Sequence, residues 1–342
     1  MKSLFKSCKK IIEEKERFAL TTHVNPDGDG LGSEVALAHY LKKMRKEVSI
    51  INYSATPPNY QFLDPNREII HFNPALHLEK IRDAEVIFII DTNHLDRLRS
   101  LEPFVRDSKA VKICVDHHLD KDDFADYYLI DEPATATGEI IYHLLQYLNG
   151  DKIDTDIARA LYTAIMTDTG SFRFPKTDPE IHRVAAHLIE CGANPPEIFQ
   201  EVYEKGPINT LQLLGKALAN LTTTHDGKVA YMAVTREMFR ETGTSEFQTD
   251  NFIDYTMRIA GVQIGLLFNE LPEGVKISFR SKGNIPVNEL AKEFGGNGHL
   301  NAAGARLADK KLDETAAAVL ERAKAYILDS DMTNLHLASH SS

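Results

Sequence analysis

The stretch Phe18-Ala19-Leu20-Thr21-Thr22-His23-Val24-Asn25-Pro26-Asp27-Gly28-Asp29-Gly30 decides the reading of this chain. A short apolar run, Phe18 to Thr22, has the length and composition of a buried strand and ends directly on His23. The Gly/Asp turn Asn25 to Gly30 follows, and from Leu31 to Met44 the apolar residues recur at helical spacing. Strand, polar turn and helix in that order are the opening of an open parallel sheet. In such sheets ligands bind outside the carboxyl ends of the strands.

The same event recurs twice. The apolar run Glu85 to Ile90 ends on Asp91, and Ala110 to Val115 ends on Asp116, His117 and His118. A fourth contribution comes from Asp168, at the end of a predicted helix in Thr167-Asp168-Thr169-Gly170. Each residue alone has an ordinary explanation. A lone His is more often a satisfied core or surface group than a ligand, Pro26 to Gly30 could be only a turn, and Asp91 could cap a helix. The coincidence carries the argument, because four separate segments deliver ligand-type side chains to one predicted sheet edge.

Further strands are expected at Val48 to Asn52 and Tyr127 to Ile130, and helices at Leu4 to Lys15, Thr137 to Leu148, Asp156 to Thr167 and Asp178 to Glu190. Five nearly continuous apolar strands alternating with helices predict an α/β fold with a mainly parallel sheet covered on both faces. After Gly192 to Pro196 the pattern changes. A helical connector reaches Leu221, followed by strands at Lys228 to Val234, Val262 to Asn269 and Val275 to Arg280 and helices at Val287 to Phe294 and Leu312 to Leu328. This second region reads as a smaller mixed α/β domain, and Asp331 to Ser342 as a polar, frayed tail.

Composition narrows the class. The chain has 342 residues, 43% hydrophobic and 26% charged, which suits a two-domain globular protein. Its formal net charge is −11, a poor match to long duplex nucleic acid, which is usually met by a basic face. Cys8, Cys114 and Cys191 form no CxxC, so neither a disulfide framework nor a thiolate zinc site is expected. The apolar runs are too short to span a bilayer, and the Lys- and Glu-rich stretch from Met1 to Arg17 does not read as a signal peptide. The expectation is a cytoplasmic protein with no membrane partner.

Carboxylates gathered as closely as Asp27, Asp29, Asp91 and Asp168 would repel one another unless cations lay between them. Carboxylate oxygen with imidazole suits manganese, magnesium or iron better than a thiolate-seeking metal. Two such ions about 3.5–4 Å apart can activate a water and stabilise the leaving oxygen of a phosphoryl displacement. Gly28, Gly30 and Gly32 are read as letting the backbone turn tightly and approach the ions.

The motifs His23-Val24-Asn25-Pro26-Asp27-Gly28-Asp29, Asp91-Thr92, Asp116-His117-His118 and Asp168-Thr169-Gly170 resemble the ordered signatures of the DHH phosphoesterases. Gly295-Gly296-Asn297-Gly298-His299, followed by Ala302-Ala303-Gly304, resembles the substrate-binding signature of the DHH-associated C-terminal domain. Arg280-Ser281-Lys282-Gly283 and Val287-Asn288-Glu289-Leu290-Ala291 point within the family to its nano-RNase branch.

The resemblance implies a DHH catalytic domain over 1–191 with a five-stranded sheet, a connector over 192–221, a DHH-associated domain over 222–330 and a disordered tail over 331–342, with the active site in the interdomain cleft. It implies one metal on His23, Asp27 and Asp91 and a second on Asp29, Asp91, His117 and Asp168. Manganese is the first choice, with magnesium, cobalt and iron as alternatives. His118 would touch the phosphate and Asp116 would orient a histidine. Arg258, Arg280, Ser281, Gly296, Gly298 and His299 would hold the substrate. Two departures stand out: Asn297 interrupts the glycines, and Glu34 replaces a small residue. Asn297 is expected to keep the loop by tolerating a left-handed backbone.

The activity implied is hydrolysis of very short oligoribonucleotides, dinucleotides above all, to mononucleotides, together with removal of the 3'-phosphate of 3'-phosphoadenosine 5'-phosphate. The alternatives are a cyclic-dinucleotide phosphodiesterase and a non-catalytic nucleotide sensor. A homodimer is an expected assembly.

Overall fold

The computed structural model describes residues 1–118, 121–249 and 251–339, with His299 and residues 328–339 described by their backbone alone. The chain divides into two compact units, Met1–Lys205 and Gly206–Ser342. The division falls inside the stretch read as a connector, between two separate helices.

The first unit contains α1 (Lys2–Glu14), β1 (Arg17–Thr22), α2 (Gly28–Lys43), β2 (Glu47–Asn52), β3 (Ile69–His71), α3 (Pro74–Arg82), β4 (Val86–Ile90), α4 (Glu102–Arg106), β5 (Val111–Asp116), β6 (Tyr127–Ile130), α5 (Thr137–Asn149), α6 (Thr155–Asp168), α7 (Pro179–Glu190) and α8 (Pro195–Tyr203). Its sheet runs β3-β2-β1-β4-β5-β6, and every neighbouring pair is parallel. The apolar runs predict five strands; the structure has six. The missed strand, Ile69–His71, is three residues long and lies at the sheet edge after a Pro-rich segment, too short to show a period.

β4 is buried along its whole length and feeds two cores. Val86, Phe88 and Ile90 face the layer built from α1, α2 and α5 to α8, while Ile87 and Ile89 face the other layer with Ile81, Leu95, Leu98 and Leu101. Two buried faces account for the uninterrupted apolar run, because side chains on a strand alternate between them. Phe18 and Phe88 stack across β1 and β4 with ring centroids 6.4 Å apart.

α2 is the central helix, buried on nearly all sides. It begins at Gly28, earlier than the spacing of its apolar residues indicates, so Asp29 lies in its first turn and Asp27 is its N-cap. Gly28, Gly30 and Gly32 are therefore helical, and none has positive φ. They are required by close packing. A Cβ on Gly32 would stand 2.4 Å from the Ala160 carbonyl of α6, and one on Gly28 would stand 2.5 Å from Thr167 Oγ1. At Gly30 the neighbours are Thr22 Oγ1 and, at 3.4 Å, Asp91 Oδ2. Of the three, only Gly30 approaches a ligand-type side chain in the way the sequence suggests.

The second unit contains α9 (Ile208–Ala219), β7 (Thr222–Thr224), β8 (Val229–Val234), α10 (Arg236–Thr242), β9 (Ile264–Leu271), β10 (Gly274–Ser281), α11 (Val287–Lys292), β11 (Asn297–His299), β12 (Ala302–Ala308) and α12 (Leu312–Ser339). Its sheet runs β11-β12-β10-β9-β8-β7, with β8 and β9 parallel and the other neighbours antiparallel. α12 continues into the stretch read as a tail, of which residues 340–342 lie outside the described residues.

Candidate metal centre

In the order β3-β2-β1-β4-β5-β6 the direction of winding reverses between β1 and β4, the place beyond the carboxyl ends of the strands where open α/β sheets bind ligands. β1 delivers His23 to it, β4 delivers Asp91, and the neighbouring β5 delivers Asp116, His117 and His118. α2 adds Asp27 and Asp29 at its N-terminus, and α6 adds Asp168 at its last residue. Asp91 itself has φ +59°, a strained value for a non-glycine residue at the point where the chain leaves the sheet.

Three sets of side chains come close enough to hold an ion: His23 with Asp27 and Asp91, Asp29 with His117 and Asp168, and Asp91 with His117 and His118. His23 Nε2 lies 3.2 Å from Asp91 Oδ2 and 3.9 Å from Asp27 Oδ2. His117 Nε2 lies 3.3 Å from Asp168 Oδ2, 3.7 Å from Asp29 Oδ2 and 3.9 Å from Asp91 Oδ1. Asp91 belongs to two of the sets, one oxygen toward each histidine.

Both imidazoles are set for ligation by their other nitrogen. His23 Nδ1 donates to the Val24 carbonyl at 2.9 Å, and His117 Nδ1 donates to the Ala134 carbonyl at 3.2 Å. A carbonyl can only accept, so the proton is on Nδ1 in each ring and Nε2 presents its lone pair. Burial holds His117 down to about 3, and burial followed by the Arg97 charge lowers His23. Both therefore stay neutral at physiological pH, the form a metal requires.

The carboxylates are held by their surroundings as well. Asp27 Oδ1 caps α2 by accepting from the backbone N–H of Asp29 and Gly30, which leaves Oδ2 toward His23. Asp29 accepts from the N–H groups of Thr137 at 2.6 Å and Gly138 at 2.8 Å, so it caps α5 from another helix; Ala136, the N-cap residue, gives no side-chain cap. Thr137 Oγ1 donates to Asp91 Oδ1 at 3.0 Å. Asp116 Oδ1 accepts from the N–H groups of His117 and His118 and, at 2.7 Å, from His118 Nδ1.

Burial raises Asp29, Asp91 and Asp168 well above the usual carboxylate range, and the neighbouring aspartates raise them further. A site whose acids resist ionisation only because they are dry and close together is one that divalent cations would relieve. With two pre-set imidazoles, these residues fit a divalent metal site.

In the second unit, Arg280 on β10 is in register with Gly265 on β9 and Ala302 on β12, and Ala302 pairs with His299 on β11. The side chain of His299 lies outside the described residues. A Cβ on Gly265 would collide with Thr256 Oγ1 and Met257 Sδ, so glycine there lets the turn Phe252–Arg258 lie on the sheet. That turn carries Arg258, whose guanidinium covers the Tyr255 ring at 4.5 Å, and Asp254, 3.8 Å from Arg280 Nε. The structure thus sets Arg280 beside the turn that carries Arg258 and in register with the strand pair that reaches the His299 backbone.

Ser281 is engaged internally, donating to the Ile285 carbonyl and accepting from Asn301 Nδ2. Gly296 and Gly298 pack on the β12 backbone, where a Cβ would stand 2.2 Å from the Gly304 carbonyl and 2.5 Å from the Ala302 carbonyl, respectively. Asn297 is extended in β11, and the positive φ values belong to Gly295 and Gly298. Its expected left-handed conformation is therefore not the one adopted, because the segment pairs as a strand.

Sequence reasoning missed three contributors. Thr137 braces Asp91, Lys176 Nζ donates to the same Ala134 carbonyl that fixes His117, and Arg97 lies beside His23 and Asp27, its own carbonyl accepting from Val24 N–H. None belongs to a spaced motif, so no signal in the chain marked them.

Residues 17–165 match the model of the DHH family, N-terminal domain, and residues 226–327 match the DHHA1 domain. The chain is 31% identical over 305 residues to the bifunctional oligoribonuclease and PAP phosphatase NrnA of Thermus thermophilus, covering 88% of this chain and 87% of that protein. It is 28% identical over 292 residues to the protein of the same name from Bacillus subtilis, covering 84% and 88%. The crystal structure of an exopolyphosphatase-related protein from Bacteroides fragilis superposes with a TM-score of 0.89 at 29% identity, over 95% of this chain and 96% of that one. The chain belongs to the DHH family.

Proposed function

We propose that this protein is a phosphoesterase, dependent on two divalent ions with manganese preferred, that hydrolyses very short oligoribonucleotides to mononucleotides in the cytoplasm. It would also remove the 3'-phosphate of 3'-phosphoadenosine 5'-phosphate. The observation that carries this reading is the sharing of Asp91 between the His23 set and the His117 set, at the reversal point of the first sheet. The names of the two bacterial relatives support the substrate class.

His23, Asp27 and Asp91 would hold one ion, and Asp29, Asp91, His117 and Asp168 the other. When bound, the ions supply Lewis-acid activation of the phosphate and neutralise its charge. The protein's own contribution is to keep both imidazoles neutral and their Nε2 atoms aimed inward. Asp116 fixes His118 through Nδ1, which directs His118 Nε2 to the substrate as the atom that holds a phosphoryl oxygen or moves a proton. Arg258, Arg280 and the Gly296 to His299 strand would bind the distal phosphate and base, with Ser281 shaping the turn.

Mononucleotide release from a labelled RNA dinucleotide, with added manganese and with chelator, tests the proposal. Chelator-sensitive release is expected, and Asp91→Ala should abolish it. Near-normal turnover by Asp91→Ala would overturn the mechanism. A manganese-binding protein that releases nothing from dinucleotides would redirect the search to cyclic dinucleotides.

A further inference from the structure

Behind the ligand side chains lies a polar chain that the reaction does not call on. Glu34, on α2, is fully buried. Its Oε2 accepts from Asn52 Nδ2 at 2.8 Å, and Asn52 Oδ1 accepts from the backbone N–H of Thr22 at 3.1 Å. Asn52 is also fully buried. The orientation of its amide is forced: a backbone N–H can only donate, so Oδ1 faces Thr22 and Nδ2 faces Glu34.

The place of this chain is specific. The pairing of β1 with β2 ends at Leu20 and Ile50, and two residues on, the Asn52 side chain takes the N–H that the ladder no longer serves. Thr22 is the last residue of β1, immediately before His23. Glu34 belongs to the helix whose first turn carries Asp29 and whose N-cap is Asp27.

The arrangement is costly. Among the described residues Glu34 Oε1 has no hydrogen-bond partner, and burial holds the carboxyl up at about 8. A buried polar pair of this kind is weak evidence of stabilisation, since apolar residues of similar volume often do as well or better. What it gains is a fixed distance between a strand end and a helix.

We propose that Glu34 and Asn52 are positioning residues for the metal centre, forming a strut that sets His23 on β1 against Asp27 and Asp29 on α2. The inference rests on the reading of those residues as metal ligands. Ligand-orienting partners outside the coordination sphere typically change metal affinity or activity about 10- to 100-fold when removed.

The test is manganese binding by titration calorimetry, with kcat and KM on an RNA dinucleotide, in variants shown to be folded by their thermal transitions. Glu34→Ala and Asn52→Ala should each weaken manganese binding about tenfold or more and lower kcat with little change in KM. The double variant should be no worse than the more impaired single one, because both break the same strut. Glu34→Gln, which keeps a carbonyl oxygen for Asn52 Nδ2, should bind manganese like the parent. Leu188→Ala, in the core on α7, should lose thermal stability with its metal affinity intact.

Glu34→Ala and Asn52→Ala proteins that behave like Leu188→Ala would overturn the strut, and so would a Glu34→Gln protein as impaired as Glu34→Ala. A parent protein that binds no manganese would overturn the metal-centre reading, and the strut's role with it.

Discussion

Asp116 Oδ1 lies 2.7 Å from His118 Nδ1 and also accepts the backbone N–H groups of His117 and His118. One carboxylate oxygen thus fixes both the ring and the backbone of the chain segment that turns into the site. Asp116→Asn keeps the shape but replaces the carboxylate oxygen that accepts from His118 Nδ1 with that of a neutral amide, so the ring is held less firmly. Turnover should fall by about 100-fold or more while manganese binding changes much less. Steady-state kinetics beside calorimetric metal binding would read the two effects separately, and an unchanged kcat would remove His118 from the chemistry.

Metal and fold stability should be coupled. Asp29, Asp91 and Asp168 are raised by burial and by one another, so protons compete with cations for these carboxylates more strongly than for free ones. Manganese at about 1,000 times its Kd should stabilise the protein by about 4 kcal/mol. Its affinity should fall as pH falls, with protons released on binding. Thermal unfolding with manganese and with chelator between pH 5 and 8 would show a melting-temperature increment that shrinks toward acid. An increment independent of pH would count against these carboxylates as ligands.

Gly32 permits the close approach of α2 and α6. In Gly32→Ala the new methyl would meet the Ala160 carbonyl at 2.4 Å, and backbone cannot swing aside as a flexible side chain can. A loss of about 1–3 kcal/mol is expected. Gly215, inside α9, is the contrast, because among the described residues a Cβ there would meet nothing within 4 Å. Gly215→Ala should be neutral or stabilise by up to about 1 kcal/mol. Denaturant unfolding of the two variants would separate steric packing from helix propensity.

Glu34 gives a pH signature of its own. Its folded-state value of about 8 lies above the unfolded value of about 4.3. The folded protein therefore holds a proton that the unfolded chain releases between these limits. The associated stability is full below about pH 4.3 and is lost as pH rises to about 8. Glu34→Gln has no such proton to lose. Its stability advantage over the parent should grow across this window, to about 5 kcal/mol at most, and level off beyond it. Parallel unfolding curves for the two proteins from pH 5 to 9 would show an ionised, accommodated Glu34 instead.

The sequence carried the candidate site because its residues sit at the ends of local segments. His23 and Asp91 follow an apolar strand directly and Asp116 closes one, so each apolar run marked both the strand and the candidate site residue at its end. β3 escaped because three residues cannot display a period. The role of Gly28 and Gly32 was misread because the clash they avoid is with α6, more than a hundred residues away in the chain.

By itself the sequence determined the parallel α/β fold, the second α/β unit and the set of ligand-type side chains at the strand ends. Periodicity and residue type are properties of short segments and need no partner to be read. Only the tertiary structure decided which nitrogen of each histidine faces inward, that Asp29 caps α5, that Thr137 and Asp116 brace the site, and that Glu34 is tied through Asn52 to Thr22. Most of these are hydrogen bonds between residues that folding brings together from distant parts of the chain. Their geometry exists only once the sheet order and the packing of α2 against its neighbours have been set.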